Sequence, residues 1–130
     1  VHLWHADLEI ADAELERLRD TLCSTERQRA ERFRFERHRR RFLAARGFLR
    51  DVLARYLGAT PGALAFDYGP HGKPSLAQPA DTGIRFNLSH SGTAALLAVG
   101  LGRELGVDIE RINTRTECMR LAQRFFAPDE

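Results

Sequence analysis

Two cysteines in 130 residues, Cys23 and Cys118, are too few and too far apart for a disulfide framework, and neither lies in a C-x-x-C pair that could hold zinc. Both are expected to be reduced structural thiols, in keeping with the tendency of free cysteine to be buried. The five histidines lack H-x-x-x-H and H-E-x-x-H spacing, which argues against a zinc hydrolase. No apolar run approaches the ~20 residues of a membrane span. The opening "VHLWHADLEI" has no signal-peptide pattern, so a cytoplasmic protein is expected. Lysine is almost missing: Lys73 stands alone beside nineteen arginines.

What is present fits one globular domain, with 43% hydrophobic and 29% charged residues. A chain of this length buries roughly two-thirds of its unfolded surface. The net charge of +2 is unevenly spread: residues 26–57 carry eleven arginines against four acids, leaving the rest of the chain at −5. A basic segment in a near-neutral domain points to a local anionic partner.

The apolar spacing of Leu15, Leu18 and Leu22 predicts a helix after a first strand in "VHLWHADLEI". Ser24 or Thr25 can cap a second helical stretch running to Leu57, interrupted near Phe35. Within it Phe42, Leu49 and Tyr56 recur every seven residues, joined by Ala45, Val52 and Leu53, giving one buried stripe with arginines on the other faces. Gly58 ends that helix, and Thr60 and Pro61 open a short turn. "ALAFDY" reads as a strand, followed by a proline- and glycine-rich loop with a brief strand near Ser75 to Ala77. "IRFNLS", "TAALLAVGL" and "LGVDIERI" read as three strands joined by the turns "HSG" and "GRE", which predicts a meandering antiparallel sheet. Thr114 and Glu117 form a capping box for a last helix, and "APDE" has the composition of a further helix start.

Three short stretches could carry chemistry. In "GVDIE" strand alternation turns Val107 and Ile109 one way and Asp108 and Glu110 the other. Carboxylates ~7 Å apart repel by about 2 kcal/mol at an effective dielectric of 20, so a cation between them is favourable. Oxygen ligands favour magnesium or manganese over zinc. The competing explanation is an exposed face paired with surface arginines such as Arg111. In "FNLSHS" Ser89 and His90 are expected at the tip of a hairpin, free to meet an anion, the competing explanation being that Asn87 and Ser89 satisfy turn backbone groups and His90 is a surface histidine. In "HGKP" Lys73 lies between a glycine that permits close approach and a proline that stiffens the loop, a good phosphate ligand or a solvated loop lysine. Arg29 and Arg46 of the arginine-rich helices could face the same ligand. Most of the eight arginines between 27 and 41 can instead pair with Glu26, Glu31 and Glu36 on helix surfaces.

In this order "HGKP", "FNLSHS", "GVDIE" and "AQRFF" resemble the 4'-phosphopantetheinyl transferases of the two-lobed, surfactin-synthetase-activating type, over a stretch from about Glu26 to the end. The resemblance implies an α+β fold in which an antiparallel sheet packs on a long helix as one lobe of a pseudo-twofold molecule. Residues 1–112 would form that N-terminal lobe, and 113–130 a linking helix and the start of a second. It also implies magnesium-dependent transfer of phosphopantetheine from coenzyme A to a serine of an acyl or peptidyl carrier protein, with release of 3',5'-ADP.

By position, Asp108 resembles the main metal ligand, with Glu110 completing the site. Lys73, Ser89 and His90 resemble the residues that hold the nucleotide's phosphates, with Asn87 shaping their segment. Arg29 matches a basic position for the 3'-phosphate, and Arg46 is a candidate for the same region. The family's W-x-x-K-E-x-x-x-K motif has no match here. These residues are therefore expected to be the N-terminal lobe of a longer protein, with little transferase activity alone. The full-length protein is expected to be a monomer, and an isolated lobe to self-associate through its uncovered apolar face. A magnesium-dependent phosphohydrolase and a basic nucleic-acid-binding module are the alternatives, while no membrane or nucleic-acid partner is expected.

Overall fold

A buried salt bridge organises the helical half of the molecule, seen here in a computed structural model that describes residues 1–110. Arg50 and Glu26 are 1% and 4% exposed. Arg50 Nε donates to Glu26 Oε1 at 2.9 Å, and Arg50 Nη1 donates to the carbonyls of Leu64 and Pro61 at 2.7 and 2.9 Å. Its guanidinium also lies over the Phe66 ring, 5.1 Å from the centroid. One side chain thus ties together helix α2 (Ser24–Glu31), helix α3 (Glu36–Leu57) and the 3-10 turn Pro61–Ala63.

The arginines were expected on the solvent faces of α3, and Glu26 was expected to pair with one of them. Arg50 instead falls on a buried row with Leu43, Gly47 and Ala54, spaced by three and four residues. The pairing of Glu26 is therefore internal, while Glu31 lies 4.0 Å from Arg39 at the surface. The helix break near Phe35 is as expected, with Phe35 extended (φ −104°) at the N-terminus of α3 and Gly58 left-handed at its end. Helix α2 begins at Ser24, so the residue at the cap position is Cys23, whose backbone N–H donates to Glu26 Oε1 at 3.0 Å. Cys23 is a free thiol but exposed, contrary to the buried site expected for it. Cys118 and the Thr114–Glu117 capping box lie outside the described residues.

Helix α1 (Asp12–Arg19) packs on α3 so closely that a Cβ on Gly47 would stand 2.5 Å from the Leu18 Cβ. Strands β1 (His2–Asp7), β5 (Ala94–Leu101) and β4 (Ile84–Ser91) form an antiparallel sheet in the order β1-β5-β4. A separate hairpin joins β2 (Ala65–Tyr68) to β3 (Pro74–Gln78). The first strand thus pairs with the last rather than standing outside a meander. Alternation turns Phe86, Leu97 and Val99 toward Leu49, Val52 and Leu53 of α3 in one buried cluster, while Leu43 to Ala45 pack with Ala95, Leu8 and Leu15 in another. The result is the expected α+β fold, an antiparallel sheet laid against a long helix. No helix among the described residues is long and apolar enough to cross a membrane.

"GVDIE" is not a strand. Beyond β5 the chain makes no ladder pairing through residue 110, although exposure still alternates, with Val107 and Ile109 half-buried and Asp108 and Glu110 exposed.

Removing one partner of a buried ion pair leaves the other charge uncompensated, at a cost of about 3–5 kcal/mol. Glu26→Ala is therefore expected to lower unfolding free energy by that amount, and Glu26→Gln, which keeps an acceptor oxygen for Arg50, by less. Urea denaturation monitored by circular dichroism checks both, and an unchanged midpoint for Glu26→Ala would contradict the role given to the pair.

Candidate anion cleft and acidic segment

Strand β4 divides the candidate residues between its two faces. His90 shares the parity of Phe86 and Leu88 and so faces α3, whereas the side chains of Asn87 and Ser89 bond the segment that follows β5, Asn87 also bordering the cleft on the α3 side. The hairpin turn itself is at Gly92 and Thr93, so Ser89 and His90 lie within the strand just before it rather than at its tip.

On the α3 side is an open cleft of about 660 Å³, lined by Arg29, Arg46, Lys73, Asn87 and His90 among others. Five of the residues singled out in the sequence, drawn from α2, α3, the loop before β3 and β4, therefore meet at one place. The elements they come from explain how. The Glu26–Arg50 pair fixes α2 against α3, which brings both Arg29 and Arg46 onto Phe42, at 5.5 and 5.6 Å from its ring centroid. Arg46 also lies 5.5 Å from the Tyr68 ring centroid. Stacking on aromatic faces holds a guanidinium in place while leaving its N–H edge available to an acceptor.

The Nη1 of Arg46 is buried and has no hydrogen-bond partner among the described residues, and the same is true of Arg41 Nε on the same wall. A buried donor without an acceptor is costly, and an anion entering the cleft would relieve that cost. His38, Arg41 and His71 also line the cleft. His71 was within reach of sequence reasoning, two residues before Lys73 in "HGKP", whereas His38 and Arg41 carried no signal apart from the basic run around them.

Lys73 is engaged at the mouth of the cleft. Its Nζ donates to the Leu105 carbonyl at 2.9 Å and lies 3.5 Å from Glu104 Oε2. On the other face of β4, Ser89 Oγ donates to Asp108 Oδ1 at 3.2 Å and accepts from the Ile109 N–H at 3.1 Å. Asn87 Oδ1 accepts from the Val107 N–H at 2.7 Å. Ser89 and Asp108 are thus joined to each other and are not among the residues lining the cleft. Glu110 is exposed two residues further on.

Among the described residues no three His, Cys, Asp or Glu side chains gather as a metal cluster. An exposed Asp108 carboxylate, oriented by a hydroxyl and followed by an exposed Glu110, nevertheless fits magnesium. That ion commonly takes only one or two protein carboxylates and completes its shell with water and substrate phosphate.

Partial burial of the ring against the cleft, in a residue otherwise exposed, and then the nearby Arg46 charge hold the His90 imidazole below the usual histidine range. The native state therefore binds fewer protons than the unfolded chain below pH ~6.5. Stability linked to His90 is complete above that pH and is lost as pH falls through the lowered value. In an NMR titration His90 should protonate below the free-histidine value, and Arg46→Met should move the midpoint up only part of the way, because burial is the larger cause. Sulfate, an anion that does not titrate in this range, should raise the midpoint as well. A midpoint that ignores sulfate would remove His90 from the anion site.

Residues 8–101 match the family model described as 4'-phosphopantetheinyl transferase, N-terminal. The chain is 47% identical over its whole length to the 4'-phosphopantetheinyl transferase HetI of Nostoc sp., covering 55% of that protein. It is 35% identical over 92% of its length to a phosphopantetheinyl transferase of Thraustochytrium sp., covering 43% of it. Against the 4'-phosphopantetheinyl transferase psf-1 of Bacillus pumilus it is 32% identical over its whole length, covering 54%. The chain thus spans about half the length of the curated relatives it matches, and it belongs to the 4'-phosphopantetheinyl transferase family.

Proposed function

We propose that this chain binds the nucleotide end of coenzyme A and carries part of the metal site for transfer of 4'-phosphopantetheine to a serine of an acyl or peptidyl carrier protein. The observation that carries this reading is the cleft itself. Arg29, Arg46, Lys73 and His90 line it together, and a buried Arg46 N–H within it lacks an acceptor among the described residues. The names of the relatives supply the reaction class.

In this reading Arg29 and Arg46 take the 3'-phosphate as forked donors, because guanidinium groups pair with phosphate oxygens through two parallel N–H bonds. His90 and Lys73 lie toward the diphosphate, Lys73 also fixing the Leu105 carbonyl at the start of the acidic segment. Asp108 and Glu110 would hold magnesium, with manganese as a substitute, which supplies charge neutralisation for the diphosphate and its leaving phosphate. The serine oxygen of the carrier attacks the phosphorus on the pantetheine side and gives up its proton to solvent, the bridging P–O bond breaks, and 3',5'-ADP leaves. What the chain contributes is placement and electrostatic stabilisation, the main contributions in phosphoryl transfer.

A nucleic-acid face on α3 is less well supported. Several of its arginines are already used within the chain, Arg40 with Asp12 at 2.7 Å, Arg41 with Glu9 at 3.4 Å and Arg39 with Glu31. Consumption of coenzyme A also fits a cytoplasmic protein.

Intact-mass spectrometry of an apo carrier protein incubated with coenzyme A, magnesium and the full gene product should show addition of phosphopantetheine, lost with chelator and in Asp108→Ala. Coenzyme A breakdown without a carrier would favour a phosphohydrolase instead. Arg29→Ala should weaken coenzyme A binding by about 10-fold or more, the scale of one charge-assisted hydrogen bond, and weaken 3'-dephospho-coenzyme A far less. Equal losses for the two would take Arg29 away from the 3'-phosphate.

A further inference from the structure

The stretch that carries Asp108 and Glu110 is anchored without a backbone ladder. Its three fixed points are at alternate residues: the Leu105 carbonyl accepts from Lys73 Nζ, the Val107 N–H donates to Asn87 Oδ1, and the Ile109 N–H donates to Ser89 Oγ. Asn87 and Ser89 are themselves two apart on one face of β4, so their side chains meet backbone groups two apart on the segment. This reproduces the period of a paired strand with side-chain acceptors in place of strand carbonyls. With the odd residues held, the even ones, Asp108 and Glu110, are left exposed.

The single donor of the Ser89 hydroxyl is engaged by this arrangement. It has one proton, donated to Asp108 Oδ1, and its oxygen accepts the Ile109 N–H. In this arrangement that proton serves Asp108, and the phosphate-holding role the resemblance implies for Ser89 would require the hydroxyl to turn away from the carboxylate. The amide of Asn87 is also constrained: the Val107 N–H needs an acceptor, so Oδ1 must face it, which leaves the Nδ2 donors to other acceptors.

We infer that Asn87 and Ser89 are positioning residues, a side-chain clasp that sets the register of residues 105–109 on β4 and, through the Ser89 hydroxyl, orients the Asp108 carboxylate. The metal-orienting part rests on the proposed function, while the clasp itself does not. Outer hydrogen bonds to a ligating carboxylate typically change metal affinity by about 10–100-fold when removed.

The test is amide hydrogen exchange on the 15N-labelled protein, with Mn²⁺ titration followed by its paramagnetic effect. Asn87→Ala should speed exchange at Val107 several-fold, and Ser89→Ala should do so at Ile109, while the central-strand amide of Leu97 keeps its protection. Asn87→Asp, which retains an acceptor oxygen, should preserve protection at Val107. Ser89→Ala should weaken Mn²⁺ binding by about 10-fold or more, and Ser89→Thr, which keeps the hydroxyl, should restore both exchange and affinity. Wild-type exchange at Val107 and Ile109 in the alanine variants would overturn the clasp. Faster exchange with unchanged Mn²⁺ affinity would overturn the orienting role of Ser89. Exchange reports the clasp whether or not phosphopantetheine is transferred, so failure of the clasp and failure of the transferase reading are told apart.

Discussion

The structure depends on one guanidinium out of water. Arg50 is bonded to a carboxylate on α2 and to two carbonyls of the turn that leads into β2, so it fixes two separate pieces of chain against the middle of α3. An arginine costs a great deal to bury unless its donors find acceptors, and here its Nε and both terminal nitrogens have them. The consequence reaches the cleft. The face of α2 that carries Glu26 inward also sets Arg29 against Phe42, one turn of α3 from Arg46. The anion cleft therefore inherits its geometry from a structural ion pair that touches no ligand.

The second constraint is an exchange of roles between backbone and side chain. Among the described residues β4 is an edge strand of its sheet, and the chain that follows β5 does not pair with it through the backbone as far as residue 110. Asn87 and Ser89 supply the acceptors instead, which is why a strand turns polar where hydrophobic residues would be expected. The polar stretch "FNLSHS" thus serves two neighbours at once, with His90 turned to the arginine cleft and Asn87 and Ser89 to the acidic segment. A carboxylate held by a hydroxyl beside a cluster of guanidinium groups suits a ligand that is both highly anionic and metal-bound.

Much of the fold was legible because it rests on periodicity. The seven-residue recurrence of Phe42, Leu49 and Tyr56 marked α3, and the break near Phe35 and the stop at Gly58 followed from local chemistry. The β4–β5 hairpin was equally visible. Pairing of β1 with β5 was not, because sequence neighbours say nothing about a contact between His2 and Val99. Arg50 was missed for a different reason: spacing places it on the buried row, but an arginine there is credible only once Glu26 and the carbonyls of Pro61 and Leu64 are known to surround it. "GVDIE" had the alternation of a strand and keeps the alternating exposure, yet alternation cannot reveal whether the partner is backbone or side chain. The candidate site was legible as a set of residues, and what the sequence could not divide was that set between the two faces of β4.

The most direct test of the account is a crystal structure of the full gene product with coenzyme A and Mn²⁺, read by the anomalous signal of the metal. A metal peak is expected at bonding distance from Asp108 and a diphosphate oxygen, with the 3'-phosphate on the forks of Arg29 and Arg46 in the α3 cleft. A metal bound away from Asp108, or a nucleotide lying outside that cleft, would contradict it.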